Sequence, residues 1–172
     1  MITSDIVIAI VIKKIEAVKA DWGLVEVVEG KEDLQSDDLT PPYLIVYENF
    51  TDTAQITGDG TPHYIPIDIE AVVVSSEKET ASKSFKQALT LAISVIKEIN
   101  GYYELKEEED KIYFSDDNGV TWVELGTTDE FTLGDDKVFL LESKELPFQI
   151  LGKSSKISTI KTLHRYRLSI II

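Results

Sequence analysis

A change of hydrophobic period near the middle of the chain constrains the fold more than any other feature of the sequence. The segment Ile65–Ser75 alternates apolar with polar side chains and ends in a continuous apolar run, which is typical of a β-strand. From Ser76 to about Asn100, apolar residues recur in threes and fours, which predicts a long amphipathic helix. A strand that leads directly into such a helix requires a sheet on which the helix can pack.

A second amphipathic helix is predicted near the N-terminus, from Ser4 to about Ala20. Ser4 is the predicted N-cap and Gly23 the stop signal. The apolar stripe consists of Ile8, Val11, Ile12, Ile15 and Val18, and the polar face of Lys13, Lys14, Glu16 and Lys19. Each helix therefore has one face for a sheet to cover.

Short segments with strand patterns surround the two helices. They are Leu24–Glu29, Tyr43–Glu48, Tyr102–Leu125 with a hairpin that pairs Lys111–Phe114 with Thr121–Leu125, Val138–Leu141, Leu146–Leu151 and a last strand after the polar loop Gly152–Ser158. This order predicts an α+β fold, with an antiparallel or mixed β-sheet, two amphipathic helices packed on one face and an inserted β-hairpin region.

Length and composition bound the class of protein. The 172 residues, 43% of them hydrophobic, predict a single domain over residues 1–172, with 102–141 as a β-hairpin insertion. The net charge of -14 repels phosphates and anionic lipids, so we expect no direct nucleic-acid contact and no membrane contact. The absence of cysteine excludes disulfides and thiolate chemistry.

A group of basic residues lies near the C-terminus. They include Lys153, Lys156, Lys161, Arg165 and Arg167, while most of the remaining chain is acidic. Such an asymmetry predicts a subunit or partner contact at this stretch, and a solvated loop and strand is the alternative interpretation.

One local motif is specific. Residues 115–122, S-D-D-N-G-V-T-W, match every specified position of the Asp-box pattern S-x-D-x-G-x-T-W. The specified positions are Ser115, Asp117, Gly119, Thr121 and Trp122. A tight hairpin explains these residue types, because the aspartate accepts hydrogen bonds from turn amides, the glycine adopts positive φ and the tryptophan packs beneath the turn.

The context of the Asp box favours a structural hairpin. Sialidase-like propellers repeat the box several times and bind a carboxylate with three arginines, whereas this chain has one box and only two arginines, Arg165 and Arg167. A carbohydrate-binding or surface-adhesion module is the alternative, if Trp122, Tyr102 and Tyr103 are exposed. We expect Tyr102 and Tyr103 to pack beside the helix end instead.

No set of residues in the sequence has the spacing of a catalytic or cofactor site. His63 and His164 have no metal-ligating partner at a suitable distance along the chain. The acidic pairs, such as Asp116 and Asp117, lack the spacing of an EF-hand, which leaves a weak calcium site at Asp52–Asp59 or beside Asp117 as an alternative. We therefore predict no enzyme, no cofactor and no metal site, with a small hydrolase that uses acidic residues as the weakest alternative.

Four segments support a family resemblance. They are the strand after Pro42 (Tyr43–Tyr47), the long strand Ile67–Val74, the helix that carries Glu79 and Ala81, and the closing strand Arg165–Ile171. In this order they resemble the tail-terminator and neck (tail-completion) proteins of long-tailed bacteriophages and related prophage elements. The resemblance covers most of the chain and leaves out the predicted insertion.

The resemblance implies a structural role in virion assembly. Proteins of this kind cap the growing tail tube, form a ring that is often hexameric, and present the docking surface for the head. The partners it implies are further copies of the chain, the tail-tube protein and head-completion proteins. It implies a location in the virion, or in the host cytoplasm during assembly, and no catalysis.

Overall fold

Two helices and nine strands form the part of the chain that the computed structural model describes. The described residues are 2–30, 39, 42–48, 67–75, 90–91, 93–142, 149–150 and 158–170. For residues 68, 70–75, 149–150 and 158–170 the description is restricted to the backbone. The predicted helical segment 76–89, the two loops around Asp37 and Asp52–Asp59, and His63 lie outside these residues.

The elements follow the predicted order. The helices are α1 (Ser4–Val18) and α2 (residues 90–99, in which 92 is not described). The strands are β1 (Glu26–Glu29), β2 (Tyr43–Glu48), β3 (Ile67–Ser75), β4 (Gly101–Glu108), β5 (Lys111–Ser115), β6 (Val123–Thr127), β7 (Val138–Glu142), β8 (Gln149–Ile150) and β9 (Ser158–Ile170). The predicted hairpin within Tyr102–Leu125 corresponds to β5 and β6.

The strands form one mixed sheet in the order β1-β2-β3-β9-β7-β4-β5-β6, and β8 also pairs with β9. Strands β1 and β2 are parallel, and the other described pairs are antiparallel. Helices and a largely antiparallel sheet in one chain define the α+β class, so the predicted fold class is confirmed.

The closing strand β9 joins the two halves of the sheet. Its residues Ser158–Tyr166 pair with the whole length of β3, and Arg167–Ile170 pair with β7. The sequence predicted a loop up to Ser158, and the alternation that indicated the strand was clearest from Arg165 onward. The strand begins at Ser158 because β3 supplies hydrogen-bonding partners along the preceding residues.

More side chains of helix α1 are buried than the predicted apolar stripe contained. Besides Ile8, Val11 and Ile15, the side chains of Ile6, Val7 and Ile10 are buried, because the helix contacts β1, β2 and β6. The predicted N-cap was wrong by one residue: the cap is Thr3, and the Ser4 hydroxyl instead donates a hydrogen bond to a carboxylate oxygen of Glu48 at 2.6 Å. This bond ties the start of α1 to β2.

The core lies between the helices and one face of the sheet. It includes Ile6, Ile10 and Ile15 of α1, Leu91, Val95 and Ile99 of α2, and Leu44, Ile67, Tyr103, Phe114 and Phe139 of the strands. A smaller cluster on the opposite face contains Tyr43 and Ile45, so β2 is buried on both sides. Among the residues described, no helix is both long and apolar enough to cross a membrane.

Candidate functional site

The Asp box forms the turn of the hairpin between β5 and β6. The two strands pair antiparallel, with Phe114 opposite Val123 and Tyr113 opposite Glu124. Asn118 and Gly119 both lie in the left-handed region, with φ of 59° and 79°. Asparagine and glycine adopt this conformation most readily, so both residue types suit their positions in the turn.

The hydroxyl of Ser115 organises the turn. It donates a hydrogen bond to Asp117 Oδ1 at 2.7 Å and accepts the amides of Gly119 at 3.0 Å and of Asp117 at 3.4 Å. A hydroxyl has one proton and two acceptor positions, so this network uses its full capacity. Ser115 is only 1% exposed, which keeps water away from these bonds.

Asp117 accepts a second hydrogen bond, which connects the Ser115 network to the far end of the turn. Its Oδ1 accepts the backbone amide of Thr121 at 2.8 Å. This bond, together with those from the Ser115 hydroxyl and the Thr121 side chain, lowers the pKa of Asp117 from 3.8 to about 2, because hydrogen-bond donors favour the charged carboxylate. The predicted roles of Asp117 and Gly119 in the turn agree with this geometry.

Trp122 lies directly after the turn and is half-buried. A methyl group placed on Gly119 would lie 3.5 Å from Trp122 Cζ2 and 3.2 Å from a carboxylate oxygen of Glu104, so the glycine lets the turn approach both side chains. One face of the indole is covered by the ammonium group of Lys106, 4.6 Å from the ring centroid. Trp122 therefore packs beneath the turn, as the pattern predicted.

Lys14 connects the Asp-box turn to both helices. Its Nζ donates to Asp116 Oδ2 and lies 3.9 Å from Glu98 Oε1 of α2 and 5.4 Å from the ring centroid of Tyr103. The Lys14 side chain is 11% exposed. The sequence placed Lys14 on the polar face of α1, and the side chain is largely buried there because three other elements converge on that point.

The two tyrosines after α2 have opposite environments. Tyr103 is buried, donates its hydroxyl proton to the carbonyl of Ile99, and stacks on Phe139 with ring centroids 5.2 Å apart. Tyr102 is 56% exposed on the other face of β4. The prediction that both pack beside the helix end is correct for Tyr103 and wrong for Tyr102, because neighbouring residues of a strand point to opposite faces.

The basic C-terminal residues occupy a central strand where they are described. Lys161, Arg165 and Arg167 lie on β9, in register with Val72, Asp68 and Glu142 respectively. Opposite charges in register across a sheet stabilise it. Lys153 and Lys156 lie outside the described residues, so the use of these five residues as a contact stays a prediction.

Candidate metal ligands do not cluster in the part of the chain that the structure describes. Over those residues, no group of three histidine, cysteine, aspartate or glutamate side chains is arranged to hold a metal ion. Beside Asp117, the nearest partners are the hydroxyl and amide groups of the turn itself. His164 lies on β9, in register with Ile69.

No protein-family model matches the chain, and no curated protein is similar enough to be matched to it.

Proposed function

We propose that this chain is a non-enzymatic structural subunit of a bacteriophage or prophage tail, which caps the tail tube and joins it to the head by forming a ring. The proposal rests on the family resemblance together with one structural observation. The three strand segments that carry the resemblance form adjacent strands, with β2 beside β3 and β3 beside β9. Segments distant in sequence thus form one compact unit.

The position of residues 101–142 also supports the proposal. These residues contribute β4 to β7, which connect to β9 through β7 at one end of the sheet. An addition at the end of a sheet leaves the β2-β3-β9 unit intact. The resemblance therefore leaves out this end of the sheet, to which its closing strand is joined because Arg167–Ile170 pair with β7.

The ends of the sheet offer a route to a ring. Among the described strands, β1 and β6 lie at opposite ends of the order and each has a neighbour on one side only. A contact between two different surfaces of identical subunits generates a ring when the rotation closes. Edge strands are common sites of such pairing.

The basic C-terminal stretch is the proposed contact surface for a subunit or partner. The chain carries 31 acidic and 17 basic residues, so a basic surface can meet an acidic surface of the next copy. Lys153 and Lys156 are the residues to test first. Arg165 and Arg167 are in register with Asp68 and Glu142. Replacing either arginine would therefore also change the stability of the sheet, and an effect on assembly could not be separated from it.

A tube-capping assay tests the proposal. Tail-tube protein from the same genome is polymerised with and without the chain, and tube lengths are measured by negative-stain electron microscopy. We expect the chain to shorten the tubes and the Lys153→Glu/Lys156→Glu variant to lose this effect. Lys13→Glu/Lys137→Glu is the control, because both residues are exposed and the change in charge is equal. Unchanged tube lengths with the wild-type chain would contradict the proposal.

The carbohydrate-binding alternative has less support. A sugar platform needs open aromatic faces, and of the three aromatic residues only Tyr102 is exposed, because Lys106 covers one face of the half-buried Trp122 and Tyr103 is buried. Glycan binding that is lost in Trp122→Ala would favour this alternative over tail assembly.

A further inference from the structure

The Asp-box turn contains an Asn-Gly pair, Asn118–Gly119, which is the dipeptide most prone to spontaneous deamidation. In this reaction the backbone nitrogen of the glycine attacks the Cγ atom of the asparagine side chain. The nitrogen loses its proton, the side-chain amide leaves as ammonia, and a five-membered succinimide forms. Water then opens the ring at either carbonyl and yields aspartate or isoaspartate. Glycine allows this attack because it has no Cβ to obstruct it.

We propose that Asn118 is a latent modification site and that Ser115 protects it by holding the amide of Gly119. The backbone nitrogen of Gly119 donates a hydrogen bond to Ser115 Oγ at 3.0 Å, and Ser115 is buried. The hydroxyl is itself held in place by Asp117, to which it donates at 2.7 Å. The nitrogen must leave this network before it can attack, so the reaction proceeds from an open state of the turn.

Exposure does not protect the site. Asn118 is exposed and Gly119 is half-buried, so water reaches the residue that reacts. The protection therefore depends on the hydrogen bond to Ser115. Reaction would add a carboxylate next to Asp116 and Asp117, and isoaspartate would also lengthen the backbone within the turn.

The chain provides an internal control. Asn100–Gly101 is its other Asn-Gly pair and joins α2 to β4, outside the Ser115 network. Deamidation at Asn100 reports on solution conditions and on global unfolding. A change confined to Asn118 reports on the turn.

The test measures deamidation at both sites by peptide mass spectrometry after incubation at mildly alkaline pH. We expect Asn118 to react more slowly in the folded chain than in a free peptide of residues 113–124. Ser115→Ala should accelerate the reaction at Asn118 roughly two- to tenfold, the factor that corresponds to one hydrogen bond, and leave Asn100 unchanged. Thr121→Val is the matched control, because it removes a hydroxyl from the same turn but keeps the bond between Ser115 and Gly119.

Three results would overturn the inference: equal rates in the folded chain and the peptide, no acceleration in Ser115→Ala, or equal acceleration in Thr121→Val. If the Ser115→Ala variant unfolds, deamidation accelerates at both Asn118 and Asn100. Hydrogen exchange of the Gly119 amide in the wild-type chain then tests the inference. Protection of the Gly119 amide supports the inference, and exchange at the rate of an unfolded chain contradicts it. None of these outcomes depends on the role in tail assembly.

Discussion

Individual side chains determine the Asp-box turn and its attachment to the rest of the molecule. Ser115 and Asp117 satisfy the amides of the turn, and Gly119 allows close approach to Trp122. Lys14 then links the turn to α1 and α2. The network of the turn is local in sequence, whereas the contacts of Lys14 join residues far apart in the chain.

The pKa of Asp117 provides a test of this network. It is lowered from 3.8 to about 2, so the carboxylate stabilises the fold above pH 3.8 and this contribution is lost as the pH falls to about 2. We expect Ser115→Ala to raise the pKa toward 3.8, as measured by carboxyl-carbon NMR. The stability difference between the wild type and Asp117→Asn should shrink over the same pH range. An unchanged pKa in Ser115→Ala would show that the hydroxyl does not stabilise the carboxylate.

Lys14 is expected to contribute to stability although it is a lysine on a helix surface. In Lys14→Met the aliphatic part of the side chain is kept, but Asp116 and Glu98 lose their cation. We expect a loss of roughly 1 kcal/mol in the free energy of unfolding, measured with urea, since the lost ion pair with Asp116 is partly exposed to solvent. Lys13→Met is the control, because Lys13 is exposed and should change stability by less than about 0.5 kcal/mol. Equal effects of the two substitutions would contradict this role.

The Asp-box residues could be predicted from the sequence because the motif is short and its geometry is local. Asp117 and Gly119 needed only the pattern of residues 115–122. The burial of Lys14 could not be predicted, because it depends on Asp116, Glu98 and Tyr103 meeting at one point. Periodicity places Lys14 on a helix but does not identify the elements that cover that helix.

At the scale of single elements, the hairpin between β4 and β5 contains an unfavourable turn. Its two central residues, Glu109 and Asp110, have φ of 51° and 61°. Left-handed backbone conformation is costly for glutamate and less so for aspartate, so the cost falls mainly on Glu109. The acidic run 107–110 also brings like charges together at this turn.

Replacing this turn with the preferred dipeptide should stabilise the protein. We expect Glu109→Asn/Asp110→Gly to raise the free energy of unfolding by about 1 kcal/mol, because both residues then adopt positive φ readily. The bond from the Thr128 amide to the carbonyl of residue 110 is kept, since it involves the backbone. Glu109→Gln removes a charge without changing the conformational preference and serves as the control. If the control stabilises the protein as much as the double variant does, charge repulsion is the cause.

Element boundaries were predictable where the pattern and the pairing agree. Strand β2 occupies Tyr43–Glu48 as predicted, because its apolar run is buried on both faces. Strand β9 is longer than its alternation indicated, because β3 continues to pair with it as far back as Ser158. The partner of a strand is not encoded in the strand itself, so such extensions are difficult to predict.

At the scale of the whole molecule, β9 connects two parts of the sheet. On one side it pairs with β3, and near its end it pairs with β7, which begins the β4–β7 region. Composition and periodicity predicted the α+β class, but the sheet order depends on contacts between residues about a hundred positions apart. The closing strand therefore has to pair with β3 before the sheet is complete, and local patterns carry little information on that step.

Ring formation by this chain is the property that we propose for the whole molecule. Sedimentation velocity of the purified chain, alone and mixed with the tail-tube protein of the same genome, tests it most directly. We predict a closed oligomer whose mass is an integral multiple of 19.3 kDa under at least one of these conditions. A monomer under both conditions, at concentrations at which the tail-tube protein polymerises, would contradict the claim.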